Sequence, residues 1–452
     1  MELRPQKRIC LSKNGRDRLS ELPDDVIVRI LSCLPTVDAV RTVLLRRFGN
    51  LWTMIHNLNF DYDDYIDNFC NWKSNVKRIR WFCCFVRNAL MRQQNLSIHS
   101  FHLSIAFNYH DERDRAGDDI KEWLRFALDR QVKEIRLSDN SEYEYQLGCS
   151  SILPNMFTSQ FLVTLHLDSC EFKGEFQVKL RSLKKLSLKY VAMTDENFRR
   201  FISGCPSLQD LVIKYPLEMM KLSFSAPKIE KLYLALRYDG SRFSLNSPNL
   251  KSLHLKFVVW RIDIIDVSSV RDIYIKYGMR FMNVDDVLSL NQMLEKFEGI
   301  EVFRLSCNTS KQFLHIIQKL ELLQSRWKRV VLELDDFCGS CLLGMYHLMR
   351  SLKHLEELII HTTKDFKATA DLLNIDLSSP CVTPQLKTIT LHGYGKSWKS
   401  QLQLIEFLLK SAAVLEKLVI VPICRLKETD ELEFVKHVSS FPRTSSARVI
   451  FA

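Results

Sequence analysis

No run in the sequence approaches about 18 uninterrupted apolar residues, so nothing here reads as a membrane-spanning helix. The stretch from Met1 to Arg18 is polar and basic and lacks the apolar core of a secretory signal. There is no glycine-rich loop to cradle phosphates, no His-Glu-x-x-His helix to hold zinc and no Gly-x-Ser-x-Gly elbow to present a nucleophile. These absences argue against the common phosphotransfer, metalloprotease and hydrolase chemistries. Cys338-Gly-Ser-Cys341 is a single Cys-x-x-Cys, whereas a structural zinc site needs four ligands. His347 and His354 downstream complete no standard finger, so the two cysteines read as structural thiols. Asp285-Asp286 and Asp335-Asp336 read as surface or capping residues rather than an acid/base pair. No metal or cofactor is expected. There is also no long basic block: the net charge is +11, but Lys and Arg are spread along the chain. That dispersal reads as solvated surface, and nucleic acid is not an expected partner.

What is present is a globular composition, 46% apolar and 26% charged over 452 residues. The 13 cysteines come without a secretion signal and therefore read as free thiols in a reducing compartment, nucleus or cytoplasm. Cys205 and Cys307 are read in this way, as thiols that pack as small hydrophobes.

The dominant feature is a repeat. Leu162-Val-Thr-Leu165-His-Leu167 fits Leu-x-x-Leu-x-Leu, and copies follow at Leu186/Leu188, Leu211/Ile213, Leu232/Leu234, Leu253/Leu255 and Ile273/Ile275, about 20 to 25 residues apart. Further copies carry Phe303/Leu305, Leu358/Ile360, Ile389/Leu391 and Leu418/Ile420, with a less regular copy at Val330-Val331-Leu332-Glu333-Leu334 and early candidates at Phe101/Leu103 and Ile135/Leu137. Alternation puts two apolar side chains on one face of a short strand, and stacked copies bury a face that one strand cannot bury alone. The longer steps hold helical stripes: Ile120, Trp123, Leu124, Ala127 and Leu128 after a cap at Asp118-Asp119; Phe313, Ile316, Ile317 and Leu320; and Leu402, Ile405, Leu408 and Leu409. The shorter steps around Ala226-Pro227 and Ser247-Pro248 are expected to hold only turns.

Residues 17 to 60 have another pattern. Ser20 is the expected helix cap, Leu22-Pro23 precedes the helix, and Asp24-Asp25 favour its positive end. Val26, Ile27, Ile30, Leu31 and Leu34 form a wide apolar stripe, and Pro35 ends the helix. Thr36 or Asp38 can start a second, followed by Val40, Val43, Leu44 and Leu45. So short a segment cannot bury its own stripe, which must be covered by the rest of the chain or by a partner.

Asp17 to Asp25, Ile30 to Thr36 and Asp38-Ala39-Val40 closely resemble the F-box of plant F-box/leucine-rich-repeat proteins, and Leu51-Trp52 through Asp61 resemble its exit. Leu386 to Ile389, Ile405 to Ala412, Val414 to Leu418, Phe441-Pro442-Arg443 and Val449-Ile450-Phe451 are similar to the family's FBD region. The resemblance implies an α/β chain: a three-helix F-box, then a leucine-rich-repeat solenoid with a parallel sheet on its concave side. The implied divisions are a flexible segment 1–16, F-box 17–61, helical linker 62–97, repeats 98–345 and FBD-like repeats 346–452. It further implies a non-catalytic receptor subunit of a Skp–cullin–F-box ubiquitin ligase. In such a receptor the F-box grips a Skp-type adaptor and the repeats hold a target protein. Leu22, Pro23, Ile30, Leu31 and Leu34 become the implied adaptor contacts or their immediate support. One stretch departs from the family's usual Val-Leu-Ser-(Lys/Arg)-Arg-Trp. Arg41-Thr42-Val43-Leu44-Leu45-Arg46-Arg47-Phe48 is one residue shorter, with Leu for Ser and Phe for Trp. Losing one residue inside a helix rotates everything after it by about 100°. Either a loop absorbs the loss or the chain is an interaction scaffold that has lost adaptor binding.

Residues alternating with the strand leucines are expected on the open face of the sheet. Lys189, Lys214, Lys256 and Lys276 fall at one such position, and Tyr233, His254 and Tyr274 at the one before it. Side by side, these residues would suit an acidic or phosphorylated segment with aromatic anchors. The competing reading is a row of lysines that keeps an exposed sheet soluble.

Overall fold

A computed structural model describes residues 19, 21–45, 47–69, 75–106, 110–140, 154–172, 176–219, 221–236, 242–257, 261–266, 268–277, 291–292, 294–295, 299–320, 326–335, 339–362, 383–394, 398–422 and 428–451. The expected flexible segment 1–16, the expected cap Ser20, Asp285-Asp286, Asp336 and Cys338 lie outside the described residues. The chain divides into two compact units, Met1–Cys170 and Glu171–Ala452.

The first unit opens with helices α1 (Asp24–Leu31) and α2 (Thr36–Arg41). A proline precedes each: Pro23 and Pro35 occupy the N-cap positions in extended conformation, and neither helix has a side-chain cap hydrogen bond. The start of α1 is therefore set by Pro23, with Asp24 and Asp25 in its first turn as expected. Of the two proposed starts for the second helix, Thr36 is the first helical residue. After Arg41 the chain tightens into a 3-10 turn, Thr42–Leu44, and Leu45 is extended. Helix α2 therefore ends where the shortened stretch begins. The third helical piece is a single 3-10 turn, Leu51–Met54.

The next element is already a strand of the sheet. Strand β1 (Asn57–Asp61) buries Leu58 and Phe60 and pairs in parallel with β2 (Ser100–Ile105). Helices α3 (Tyr62–Phe69), α4 (Asn75–Arg92) and α5 (His110–Asp129), with β3 (Glu134–Asp139) and β4 (Thr164–Asp168), complete the unit. The strands pair in chain order, β1-β2-β3-β4. Parallel neighbours need crossovers, and the helices supply them. Asp118 and Asp119, the expected cap, lie inside α5, and Asp119 instead pairs with Arg87 of α4. Helix periodicity reached Asp118 correctly but could not show that the polar turns before it were helical too.

The second unit carries β5 (Lys185–Lys189), α6 (Asp195–Ser203), β6 (Asp210–Lys214), β7 (Lys221–Ser225), β8 (Lys231–Ala235), β9 (Arg242–Asn246), β10 (Ser252–Phe257), β11 (Arg261–Asp266) and β12 (Asp272–Tyr277). It continues with β13 (Val302–Cys307), α7 (Ser310–Lys319), β14 (Arg329–Leu334), α8 (Gly339–Ser351), β15 (Glu357–Thr362), β16 (Thr388–Tyr394), α9 (Trp398–Ser411), β17 (Lys417–Pro422), α10 (Glu428–Ser440) and β18 (Arg448–Phe451). Its main sheet runs β5-β6-β8-β10-β12-β13-β14-β15-β16-β17-β18. Successive copies pair leucine to leucine: Leu186 with Leu211, Leu211 with Leu232, Leu232 with Leu253 and Leu253 with Ile273. All are buried. Thr194 and Thr309 cap α6 and α7, their hydroxyls accepting from the Asn197 and Gln312 backbone N–H groups at 3.2 Å.

The short steps are not merely turns. Strands β7, β9 and β11 form a second parallel sheet, in which Leu222 pairs with Phe243 and Phe243 with Ile262. About 20 residues leave no room for a helix, yet they suffice for a second short strand and two turns. Lys-Leu-Ser-Phe-Ser at 221–225 and Arg-Phe-Ser-Leu-Asn at 242–246 have the necessary alternation.

Cys83, Cys205 and Cys307 are free and buried, Cys170 and Cys341 are buried, and Cys33 and Cys84 are free and exposed. Burial pushes the Cys205 thiol up to about 12, which keeps it protonated and inert, the behaviour of a small hydrophobe.

Candidate functional site

The helical module divides its apolar stripe between two directions. Ile27, Val28 and Leu31 face inward, with Leu31 only 3% exposed, as α1 packs on the turn Leu51–Met54. Ile30 is 43% and Leu34 37% exposed, and Val43, Leu44 and Leu45 add a further exposed apolar run, with Leu44 at 84%. Leu22 is half-buried and Pro23 exposed. Of the five residues singled out from sequence, Pro23, Ile30 and Leu34 offer surface, whereas Leu31 supports them from within.

Hydrogen bonds fix the module's geometry. The Ser32 hydroxyl donates to the Val28 carbonyl at 2.7 Å and accepts from the His56 backbone N–H at 3.2 Å. The Asn57 side-chain amide donates to the Ser32 carbonyl at 3.1 Å. Thr36 accepts from the Asn59 N–H at 2.7 Å. Arg47 returns across the module to the start of α1, donating to the Leu22 carbonyl at 3.0 Å and pairing with Asp24 at 2.5 Å. The exposed leucines are thus carried on a loop closed at both ends.

In the second unit, the open face of the main sheet collects the other residues. Lys189 pairs in register with Lys214, and Lys256 with Lys276, while Ala235 of β8 interrupts the row. In the neighbouring row, Tyr233, His254 and Tyr274 stand on consecutive strands, with ring centroids 6.1 and 5.3 Å apart. The four lysines and these three rings are therefore assembled on one face, all half-exposed.

Two residues of this face lay outside the strand pattern. Tyr190 and Tyr215 directly follow β5 and β6, and both take left-handed backbone conformations at φ 49°. Such a conformation costs a non-glycine residue on the order of 1 kcal/mol or more. Their N–H groups reach the next strand, donating to the Lys214 carbonyl at 2.9 Å and the Ala235 carbonyl at 2.5 Å. Their rings stack 5.2 Å apart at 20°. The lysines settle on the tyrosines: Lys189 lies 5.1 Å from the Tyr190 ring centre, Lys214 4.8 Å from that of Tyr233, and Lys256 5.3 Å from that of Tyr215. Lys256 also donates to the Tyr215 hydroxyl at 2.5 Å. Each cation–ring contact contributes about 0.5–1 kcal/mol at an exposed site, which offsets repulsion along the row. The Tyr215 hydrogen bond, outweighing burial, raises the Lys256 ammonium above its ordinary range. The only sequence signal for this shelf was a tyrosine recurring after a strand-end lysine.

Beyond Lys276 the row changes character through Ser306, Glu333, His361 and His392. Glu333 accepts from the Tyr274 hydroxyl at 2.8 Å, and burial together with this carboxylate holds that phenol protonated. Asp272 lies 3.3 Å from Arg304 and 4.0 Å from His254. His361 and His392 stack 4.4 Å apart. Among the described residues, no group of three His, Cys, Asp or Glu side chains is placed to hold a metal ion, and no helix is long and apolar enough to cross a membrane.

Comparison with known proteins places the chain in a family. The F-box domain model matches residues 19–58, and a family model described as At1g61320/AtMIF1, LRR domain, matches residues 90–442. The chain is 33% identical to the F-box/FBD/LRR-repeat protein At5g56420 of Arabidopsis thaliana over 53% of its own length and 55% of that protein's. It is 32% identical to the putative FBD-associated F-box protein At5g56400 of the same plant, over 56% and 54%. These matches span about half the length of each relative. A third relative, the Arabidopsis F-box/FBD/LRR-repeat protein At2g26030, is 24% identical over 95% of the chain and 97% of its own length. With an F-box at its start and a repeat domain over most of the remainder, the chain belongs to the plant F-box/leucine-rich-repeat family and carries an FBD-like region.

Proposed function

We propose that this protein is the substrate-recognition subunit of a Skp–cullin–F-box ubiquitin ligase, acting in the nucleus or cytoplasm. On this reading the helical module docks a Skp-type adaptor and the repeats hold a target protein. The ligase chemistry lies in other subunits, and this chain is a non-catalytic receptor. The observation that carries the reading is the apolar surface of the module. Ile30, Leu34, Val43, Leu44 and Leu45 are all exposed within the stretch that matches the F-box domain. An exposed apolar cluster on a segment too small to form its own core is what an adaptor helix would cover. Leu22, Pro23, Ile30 and Leu34 are the assigned contacts, with Leu31 beneath them.

One observation favours a second reading, a leucine-rich-repeat scaffold without adaptor docking. Helix α2 ends at Arg41, so the adaptor would meet a 3-10 turn and an extended Leu45 where a longer helix would otherwise lie. Affinity purification of the chain from plant tissue, with adaptor and cullin peptides scored together by mass spectrometry, separates the two. Co-enrichment of both supports the receptor. Recovery of other partners with neither supports the scaffold.

A further inference from the structure

The open face of the second unit is electrically divided. Its Lys189–Lys276 half is basic, and the strands beyond carry Glu333, His361 and His392 at the same position. We propose that the basic half binds an acidic segment of the target protein, laid across β5, β6, β8, β10 and β12 with its Asp and Glu side chains against Lys189, Lys214, Lys256 and Lys276. This rests on the reading of the repeats as a target-binding surface and adds the chemistry of what they take.

Charge complementarity selects the occupant. Parallel neighbours lie about 4.8 Å apart, so Lys256 and Lys276 present ammonium groups one strand apart, and Lys214 and Lys256 two strands apart. An extended segment crossing these strands meets a cation every one or two strands. The lysines are also positioned in advance. Lys214 is held by the Tyr233 ring and Lys256 by the Tyr215 ring and hydroxyl, so less side-chain freedom is lost on binding.

The same geometry disfavours nucleic acid. Sequence-tolerant binding of single strands depends on open aromatic faces on which bases stack. Here Tyr190 and Tyr215 stack on each other, and ammonium groups lie over Tyr190, Tyr215 and Tyr233. Glu333, beyond the basic half, shares the face and would oppose a continuous phosphate backbone. A protein segment can instead be acidic along one half only.

The test is fluorescence anisotropy with the full chain and a twelve-residue labelled peptide of alternating Asp/Glu and Ser. Its Asn/Gln counterpart and a single-stranded oligonucleotide of equal charge serve as comparators. The acidic peptide is expected to bind at least about tenfold tighter than its neutral counterpart and to weaken with added salt. The double variant Lys214→Glu/Lys256→Glu should weaken it at least about tenfold, whereas Lys319→Glu/Lys410→Glu, which changes net charge equally on the helices, should stay within about twofold. If the reversed pair fails to fold, Lys214→Gln/Lys256→Gln decides, with a weakening of about threefold or more expected. The proposal is overturned if the patch variants bind like the unaltered chain, if the helix variants lose as much, if the acidic and neutral peptides bind alike, or if the oligonucleotide binds tighter. Capture of a Skp-type adaptor is measured on the same proteins. Peptide binding without adaptor capture leaves this inference standing and removes the ligase reading, and the converse removes this inference alone.

Discussion

The hydroxyl of Thr36 accepts a hydrogen bond from the backbone N–H of Asn59 at 2.7 Å. Thr36 is the first residue of α2, and Asn59 is the middle residue of β1. The second helix of the F-box is thereby tied to the strand that starts the sheet, and the module is anchored on its inner side while its outer side stays open. Thr36 is fully buried, so water cannot replace a lost partner. Thr36→Val should lower stability by about 1–3 kcal/mol, and Thr36→Ser should recover most of it. Thermal unfolding of the three proteins checks this; an unchanged midpoint for the valine variant would show that the hydrogen bond is not structural.

Leu31 and Leu34 make a paired prediction, because they share one stripe and face opposite ways. Leu31→Ala opens a cavity between α1 and the turn Leu51–Met54 and should cost about 2–5 kcal/mol. Leu34→Ala removes an exposed side chain and should change stability by less than about 0.5 kcal/mol. Denaturant titration of both variants tests this division of the stripe, and equal losses would contradict it.

That division was not legible in the sequence. Periodicity placed Ile27, Ile30, Leu31 and Leu34 on one wide stripe, but a stripe wider than its covering turn needs coordinates to show which edge is left over. The repeat was read far better, because Leu-x-Leu alternation at near-constant spacing fixes both strand and register, and Leu186, Leu211, Leu232 and Leu253 pair as their spacing required. Asn57 to Asp61 was missed as a strand because it coincides with the F-box exit, although Leu58 and Phe60 alternate in the same way. On the open face, strand alternation brought Tyr233, His254 and Tyr274 together in advance. Tyr190 and Tyr215 escaped because their placement depends on a left-handed turn that tyrosine rarely adopts.

Acidification should destabilise the fold before the carboxylates titrate. Burial holds His102, His254 and His361 below the ordinary imidazole value. The nearby charges are Arg136 and Glu134 for His102; Asp272, Arg304, Glu333 and Lys231 for His254; and His392 and Glu333 for His361. Above about pH 6.5 these rings are neutral in both folded and unfolded chains and their contribution is fully present. As pH falls below that value, the unfolded chain takes up protons that the folded chain resists, and stability drops. Unfolding midpoints should therefore be lower at pH 5.5 than at pH 7.5, and His254→Gln should narrow the gap. A midpoint that rises on acidification would contradict the sign.

Gly393 is the one described glycine with a left-handed φ, 113°, and it sits where the register between β16 and β17 shifts. A Cβ there would lie 2.3 Å from the Thr362 carbonyl oxygen and 2.2 Å from its hydroxyl. Gly393→Ala should cost at least about 1 kcal/mol and disturb the stacking of the adjacent His392 on His361. Histidine resonances in an NMR spectrum, recorded with the unfolding midpoint, report both; a variant that changes neither would show that the bulge accepts a side chain.

The central claim is that the exposed edge of the helical module is a docking surface for a Skp-type adaptor. Calorimetric titration of purified chain with purified adaptor tests it most directly, with Ile30→Asp/Leu34→Asp as the comparison. Saturable binding by the unaltered chain, weakened at least about a hundredfold in a variant whose unfolding midpoint is unchanged, is the predicted result. No heat of binding from the folded, unaltered chain, or equal affinity in the two proteins, would contradict it.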